Sequence, residues 1–296
     1  MIRPCLHLPV NPSVAGSRTG RNPAAEKPKQ PAVADRAGRF REETMVDGVI
    51  AYLDMEFGGI CGTGQRMKVP VEAGAAIHDE DTGSVCFAGR EFSSPMDVTV
   101  WKNVTDDLGR TIGKDPRTIG PDRGISGEAG MRRVRLDREG LKLALKSTRA
   151  VHAELKKFMH SLNGCGITTL VFYAADYELA ALRQARVNLA GFLIRDLQEE
   201  IRSRYSRKDV LSLDRLSYIT GFAAVDGCFS SRHFRFTVPQ AFRHRMKPHD
   251  AIGDAARIFL AAREFECYQD ELGGKIGEYL KLCESREKRG TTEETF

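Results

Sequence analysis

Two acidic side chains stand two residues apart in the apolar stretch VIAYLDMEF, residues 49–57. The stretch predicts a β-strand, in which alternate side chains share a face, so that Asp54 and Glu56 point the same way about 6.5 Å apart. Two like charges at the end of a buried strand repel each other and resist desolvation, so they need a cation or raised pKa values. A hard divalent metal would supply that cation, whereas an isolated D-x-E is more often an edge strand whose acids face water.

More carboxylates follow a second apolar run in the middle of the chain. Residues 167–175 have the near-continuous apolar composition of a central strand that is covered on both faces. Asp176 and Glu178 come directly after this run, at the point where a helical pattern begins. In open α/β sheets, ligands bind at such carboxyl ends of strands, so these acids are further candidates for the same site.

A histidine and another acid flank the start of a late helix. Pro248 and Asp250 mark that start, His249 lies just before the helix, and Asp254 lies in its second turn. A five-residue separation does not place two side chains on one face of a continuous helix. We therefore expect His249 to lie in a mobile segment that leads into the helix, and Asp254 to be held rigidly within the helix. A mobile histidine suits a proton carrier, and a rigid carboxylate suits a metal ligand.

The order of these motifs resembles that of the DEDDh 3′→5′ exonucleases, relatives of polymerase proofreading subunits. The resemblance covers roughly Val49 to Glu266 and implies an α/β RNase H-like mixed sheet, with three antiparallel strands plus a parallel strand, flanked by helices. It implies that Asp54, Glu56 and Asp254 bind two divalent ions, Mg²⁺ or Mn²⁺. It also implies that His249 is the general base.

The acid in the middle of the chain departs from the pattern of this family. Members usually place it after an aromatic residue and before a helix, as in F-D-x-x-x-L. That register puts Glu178 in the Asp position, whereas Asp176 lies two residues earlier. We favour Asp176 slightly, because the shorter side chain is the family's choice, and Glu178 remains the alternative ligand.

Cations and phenylalanines alternate in residues 231–249. Phosphate oxygens favour Arg and Lys, and unstacked bases favour an aromatic face, so this composition is typical of binding to single-stranded nucleic acid. The predicted contact residues are Arg232, Phe234, Arg235, Phe236, Arg243, Arg245 and Lys247. A half-buried strand with one wet face gives the same alternation, and we give the two interpretations equal weight.

The composition indicates a soluble protein with one good-sized domain. The chain has 296 residues, of which 41% are hydrophobic, and its net charge is +5. No window approaches the roughly 20 apolar residues of a membrane span. Seven scattered cysteines with no C-x-x-C pair predict free thiols in a reducing cytoplasm.

The pattern along the chain predicts three regions. Residues 1–44 have the composition of a disordered tail. An equally good explanation is that the functional product begins at Met45 and that the preceding residues are a mis-assigned extension. The domain spans residues 45–270, opens with an antiparallel ribbon of three strands and contains a long irregular insert at residues 103–130. Residues 271–296 form a C-terminal helix and tail.

These features predict a metal-dependent 3′→5′ exonuclease that hydrolyses phosphodiester bonds at single-stranded DNA or RNA ends. Two metals about 4 Å apart activate water and stabilise the phosphoryl group, and a histidine with a pKa near ~6.5 takes the proton. A polymerase or another protein is a potential partner, and no membrane is involved. The alternative is a catalytically inactive module that keeps the fold and binds nucleic acid or protein. A cysteine hydrolase that uses Cys228 with His233 or His244 lacks an orienting acid and any nucleophile signature.

Overall fold

A computed structural model of the chain describes residues 48–63, 67–120, 125–126, 136–205 and 211–293. The predicted tail over residues 1–44 lies outside the described residues, as do parts of the predicted insert and of the C-terminal tail. The described residues form an α/β fold in which helices flank a mostly antiparallel sheet. The predicted α/β class is therefore confirmed.

The strands of the main sheet are β1 (Val49–Ile60), β2 (Lys68–Asp79), β3 (Ser84–Glu91), β4 (Val98–Thr105), β5 (Thr111–Ile119), β6 (Ile125–Ser126), β7 (Ile167–Phe172) and β8 (Leu193–Asp196). The helices are α1 (Arg138–Asn163), α2 (Asp176–Gln184), α3 (Leu197–Arg204), α4 (Leu213–Thr220), α5 (Ala251–Cys267) and α6 (Gln269–Glu293). A smaller sheet contains β9 (Ala223–Val225), β10 (Cys228–Ser230) and β11 (Arg235–Thr237), and a 3₁₀ helix spans Gln240–Arg245.

Strand β1 is the centre of the main sheet. It pairs antiparallel with β2 along its length, and β2 pairs antiparallel with β3. On its other edge, β1 pairs in parallel with β7 over Val49–Tyr52 and antiparallel with β4 over Gly58–Ile60. The remaining pairings are antiparallel, except that β7 and β8 are parallel. The sequence predicted a mixed sheet of three antiparallel strands and one parallel strand. The structure instead has a mostly antiparallel sheet with eight described strands.

The prediction of an irregular insert at residues 103–130 was wrong for the part of this range that the structure describes. Strands β4 and β5 form a hairpin, and β5 continues the sheet to β6. Asp106 closes the hairpin, because its Oδ1 accepts hydrogen bonds from the backbone N–H groups of Leu108 and Arg110 at 3.0 and 2.8 Å. Gly109 supplies the positive φ of 71°. Most side chains of β5 are exposed, so the strand lacks the alternation of apolar residues that marks a half-buried strand.

Alternation along β1 directs its side chains into two separate cores. Ala51, Leu53 and Met55 pack on the side of α1 and α2, whereas Ile50 and Tyr52 pack on the side of α5. Asp54 and Glu56 have the same parity as Ile50 and Tyr52, so they face α5. Helix α5 is buried over fourteen of its seventeen residues, which fixes its position on the sheet.

Two glycines allow α5 to approach the sheet closely. Gly74 of β2 lies opposite Asp54 of β1 and opposite Gly89 of β3. A Cβ atom at Gly74 would lie within 3.0 Å of the backbone of Ala251, and one at Gly89 would lie within 3.0 Å of the side chain of Ile252. The first turn of α5 therefore rests directly on β2 and β3, beside the two acids of β1.

We expect Gly74→Ala to lower the free energy of unfolding by about 1–3 kcal/mol, because an added Cβ forces α5 away from β2. The matched control is Gly113→Ala in β5, where nothing lies within 4 Å of an added Cβ. That substitution should change stability by less than about 0.5 kcal/mol. Urea unfolding of both variants measures the difference, and equal effects would show that the close contact does not constrain the fold.

Candidate metal centre

Four carboxylates from three elements converge near the middle of β1. Asp54 and Glu56 belong to β1, Glu178 to the first turn of α2, and Asp254 to the start of α5. Burial raises the pKa of Asp54, and the charges of Asp254, Glu56 and Glu178 raise it further. One ligand atom from each of Glu56, Asp254 and His249 lies within 4.8 Å of the other two. The structure thus brings together the two acids of β1 with the histidine and the acid of the late helix.

Between Tyr52 and Gly58, the edge of β1 that faces away from β2 has no strand partner among the described residues. Strand β7 pairs with β1 as far as Tyr52, and β4 begins to pair at Gly58. Asp196, at the end of β8, accepts hydrogen bonds from the backbone N–H groups of Ala174 and Ala175 at 3.1 and 2.9 Å, which fixes the start of α2. The rings of Tyr177 on α2 and Phe57 on β1 lie 6.1 Å apart, so the start of α2 lies beside this part of β1.

Glu178, rather than Asp176, is the acid of the middle segment that faces the cluster. Glu178 is 7% exposed, and its Oε2 is buried without a hydrogen-bond partner among the described residues. Asp176 is exposed and acts on the cluster as a neighbouring charge that raises the pKa of Glu178. Residues two apart on a helix point about 200° away from each other, so only one of the two acids can face β1. The geometry therefore favours the alternative ligand over our slight preference for Asp176.

His249 is held in place by its backbone, in contrast to the mobile approach that the sequence suggested. Its φ of 59° lies in the left-handed region. Its backbone N–H donates to both carboxylate oxygens of Asp254, at 3.3 and 3.2 Å, and its carbonyl oxygen accepts a hydrogen bond from Nζ of Lys102 on β4. The imidazole is 19% exposed, so the ring lies at the rim of the cluster.

A buried guanidinium on α5 supports Asp254. Arg257 is 3% exposed, and its Nη1 donates to Oδ1 of Asp254 at 2.6 Å. Its Nη2 donates to Oδ1 of Asp214 at 2.5 Å, and its Nε donates to Oγ of Ser217 at 2.7 Å. The other oxygen of Asp214 lies 3.9 Å from Nε2 of His249. Arg257 and Asp214 are not among the site residues predicted from the sequence, although the i, i+3 spacing of Asp254 and Arg257 was an available signal.

Burial and mutual repulsion raise the pKa values of these acids. Burial raises the pKa of Glu56 to about 7, with a further contribution from the charge of Asp254. Burial also raises the pKa of Glu178 to about 8, and the charges of Asp196 and Glu56 add to this. The pKa of Asp54 lies well above its usual range, again chiefly through burial. Burial, with mutual repulsion as a smaller contribution, therefore favours the protonated forms of these acids when no cation is bound.

The donor set fits a hard divalent cation. Carboxylate oxygens are the ligands that Mg²⁺ and Mn²⁺ prefer, and a single imidazole at the rim does not change that preference. The unpaired Oε2 of Glu178 is an acceptor that a cation would satisfy. Asp54, Glu56, Glu178 and Asp254 are accordingly the residues that could hold the expected ions.

The residues predicted to contact nucleic acid have different surroundings. Phe236 packs on Phe259 of α5 at a centroid distance of 4.9 Å, and Phe234 packs on Tyr268 at 5.8 Å. Arg245 is 14% exposed and forms ion pairs with Glu72 and with Asp250. The other four, all exposed, are Arg232, Arg235, Arg243 and Lys247. The two phenylalanines are thus partly buried, as the interpretation of a half-buried strand requires.

Comparisons with known proteins give no match. No family model matches the chain, and no curated protein matches it. Among the described helices, none is long and apolar enough to cross a membrane. The six described cysteines are free, as the sequence predicted. The resemblance to the DEDDh exonucleases therefore depends on the residues named above and on their geometry.

The raised pKa values predict that the metal-free protein loses stability as the pH rises. An unfolded glutamate loses its proton near pH 4.5, whereas Glu56 and Glu178 keep theirs in the fold up to about pH 7 and 8. Between these values the folded state binds more protons than the unfolded state, so the free energy of unfolding falls with rising pH. Mg²⁺ or Mn²⁺ competes with these protons, so it should raise the melting temperature more at about pH 8 than at about pH 6. Thermal unfolding with and without each metal, at matched ionic strength, measures both effects, and no response at either pH would contradict the centre.

A pair of substitutions distinguishes the two acids of α2. Glu178→Gln should weaken Mn²⁺ binding by at least about 10-fold, because it removes a buried carboxylate from the cluster. Asp176→Asn is the matched control and should change the affinity less than about 3-fold, since an exposed charge is largely screened by solvent. Isothermal titration with Mn²⁺ measures both affinities. The reverse order of effects would assign the site to Asp176.

Proposed function

We propose that this chain is a metal-dependent 3′→5′ exonuclease of the DEDDh type, acting on single-stranded DNA or RNA ends. The observation that carries the proposal is the convergence of the acids of β1, α2 and α5 with the imidazole that precedes α5. The ribbon of β3, β2 and β1, with β7 parallel to β1, supports the RNase H-like arrangement that the motifs imply.

The acids would bind the cations. Other residues of the chain would accept the proton and fix the positions of the acids. Asp54, Glu56, Glu178 and Asp254 would hold Mg²⁺ or Mn²⁺, which when bound would supply positive charge for the phosphoryl group and for the attacking water. His249, whose imidazole is 19% exposed, would accept the proton of that water. Oδ2 of Asp214 lies 3.9 Å from Nε2 of this imidazole.

The supporting residues limit how far the site can relax. Arg257 binds Oδ1 of Asp254 and Oδ1 of Asp214, so the acid on α5 and the acid beside the imidazole move together. Lys102 holds the carbonyl oxygen of His249, and its charge also lowers the pKa of Glu56. Such fixed groups keep the geometry ready before the substrate binds.

A catalytically inactive module is the second candidate function. The observation that favours it is the ion pair between Arg257 and Asp254, since a guanidinium already satisfies one oxygen of that carboxylate. An inactive module would keep the fold and bind single-stranded nucleic acid or a protein partner. The two candidates differ in whether the acids are needed for turnover.

An oligonucleotide assay tests the proposed activity. A 5′-labelled single strand, incubated with Mg²⁺ or Mn²⁺, should shorten stepwise from its 3′ end. Asp54→Asn should reduce the rate by at least about 10³-fold, because the variant loses a carboxylate at the centre of the cluster. Arg202→Gln, on the exposed face of α3, is the control for nonspecific effects of a substitution. It should retain the wild-type rate within about 2-fold.

The pattern of products separates the alternatives. Binding without shortening, equal in wild type and Asp54→Asn, would support the inactive module and overturn the exonuclease. Internal cleavage that leaves long fragments would show an endonuclease instead. Parallel DNA and RNA strands of the same sequence determine whether the pocket accepts the 2′-hydroxyl.

A further inference from the structure

The tip of the β4–β5 hairpin, residues 106–110, is anchored in the core although much of β5 is exposed. Leu108 is 1% exposed and belongs to the same hydrophobic core as Ile252 and Phe259 of α5. By contrast, the first four residues of β5 are all exposed. A buried leucine at the end of an exposed hairpin indicates that the tip is held in place by the elements it contacts.

The tip contacts the backbone of the first turn of α4. Gly109 has a φ of 71°, and a Cβ atom built on it would lie 2.7 Å from the carbonyl oxygen of Asp214 and 3.0 Å from the backbone nitrogen of Arg215. Glycine alone combines this backbone conformation with so close an approach. The position of the tip therefore limits where the first turn of α4 can lie.

Helix α6 also holds the tip. Tyr279 is 4% exposed, and its hydroxyl group donates a hydrogen bond to the carbonyl oxygen of Leu108 at 3.0 Å. At the surface, Nη1 of Arg286 donates to the two carboxylate oxygens of Asp107 at 2.9 and 3.1 Å. A displacement of the tip would therefore break contacts with α6 or with α4.

The first turn of α4 is linked to the metal centre through a buried guanidinium. The carboxylate of Asp214 accepts a hydrogen bond from Nη2 of Arg257, whose Nη1 donates to Asp254. Ser217, one turn later on α4, accepts a hydrogen bond from Nε of Arg257 at 2.7 Å. Two residues of α4 thus fix the guanidinium, so a shift of this helix would move Arg257 and the carboxylate of Asp254 with it.

The same hairpin also contacts the turn that carries the imidazole. Lys102 of β4 donates from Nζ to the carbonyl oxygen of His249. Oδ2 of Asp214, whose backbone touches the tip, lies 3.9 Å from Nε2 of the same residue. The hairpin therefore reaches His249 directly through β4 and reaches the acid beside it through the tip.

We propose that the hairpin tip is a positioning element of the metal centre, with Leu108, Gly109 and Tyr279 as positioning residues. This inference rests on the proposed function and deepens it. The tip sets α4 against Arg257 and thereby sets the orientation of Asp254. Residues that orient metal ligands typically contribute about 10- to 100-fold to metal affinity or activity, and a displacement of about 1 Å can cost about 10²-fold in rate.

A pair of glycine substitutions separates positioning from stability. Gly109→Ala places a methyl group against Asp214, so it should weaken Mn²⁺ binding to the full chain by about 10-fold or more. Gly83→Ala, in the turn between β2 and β3, is the matched control, because its φ is 66° and nothing lies within 4 Å of an added Cβ.

The two variants carry the same backbone strain, so both should lower the melting temperature. Gly83→Ala should nevertheless change the Mn²⁺ affinity by less than about 2-fold, because it lies far from any contact with α4. Isothermal titration measures both affinities. Equal effects of the two substitutions on affinity would show that the tip contributes only stability, which overturns the proposal.

A milder pair of variants tests the same link if Gly109→Ala does not fold. Tyr279→Phe keeps the ring and removes the hydroxyl group that holds Leu108, so it should also weaken Mn²⁺ binding. Tyr205→Phe is the matched control, since its hydroxyl donates at 2.5 Å to the carbonyl oxygen of Gln269 and ties the end of α3 to the start of α6. Equal Mn²⁺ affinities of these two variants would overturn the proposal.

A double-mutant cycle shows whether the tip acts through α4. In Asp214→Asn the link between α4 and Arg257 loses its charged acceptor. Adding Gly109→Ala to this variant should weaken Mn²⁺ binding by less than about 2-fold further, because the two substitutions interrupt one path. Full additivity of the two losses would overturn positioning through α4.

Mn²⁺ binding needs no cleavage, so this inference and the proposed function can fail separately. With a 5′-labelled single strand, Gly109→Ala should lower kcat by about 10-fold or more and change KM by less than about 3-fold. Normal cleavage and normal Mn²⁺ binding by Gly109→Ala would overturn the positioning role and leave the exonuclease intact. Mn²⁺ binding that depends on Gly109 in a chain that shortens no strand would overturn the exonuclease and keep the positioning role. A wild-type chain that neither binds Mn²⁺ nor shortens the strand would overturn both.

Discussion

Repulsion among carboxylates is the constraint on which the rest of this structure depends. Asp54, Glu56, Glu178 and Asp254 are brought together from three elements, although burial raises the pKa of each. No local interaction would gather them, so the energy must come from the packing of the elements that carry them. Helix α5 is buried over most of its length, and its apolar contacts with the sheet oppose the electrostatic cost. The acid cluster is thus imposed by the core.

Close approach of α5 to the sheet depends on features that are small in the sequence. Gly74 and Gly89 remove the side chains that would separate the helix from β2 and β3. Gly253 has a similar role within the helix, where an added Cβ would lie within 3.0 Å of the backbone of Lys247. The turn that carries His249 therefore packs on the start of the helix, and its left-handed conformation is held by hydrogen bonds at both its N–H and its carbonyl. The small residues Gly74, Gly89 and Gly253 therefore determine how near the imidazole lies to the acids.

The sequence predicted the residues whose spacing itself encodes geometry. D-x-E on a strand and H-x-x-x-x-D at a helix start identify four of the five groups that converge, since strand alternation and helix position follow from the sequence. The choice between Asp176 and Glu178 could not be made, because it depends on where β7 ends and how α2 is rotated. The hairpin of β4 and β5 was missed because exposed side chains need no apolar period. Arg257 was missed because its importance comes from Asp214, forty-three residues away.

The balance of charge also bears on how the centre would use a cation. Arg257 occupies Oδ1 of Asp254, while the backbone N–H of His249 shares its long hydrogen bonds between both oxygens. Oδ2 of Asp254 therefore accepts the weaker set of hydrogen bonds. It belongs to the carboxylate that has an oxygen within 4.8 Å of a ligand atom of Glu56. Since the pKa values of Glu56 and Glu178 are raised to about 7 and about 8, protons would compete with the proposed metal ions for the same oxygens near neutral pH. A fixed guanidinium behind Asp254 keeps that carboxylate oriented in either state, so exchange of protons for metal need not rearrange α5.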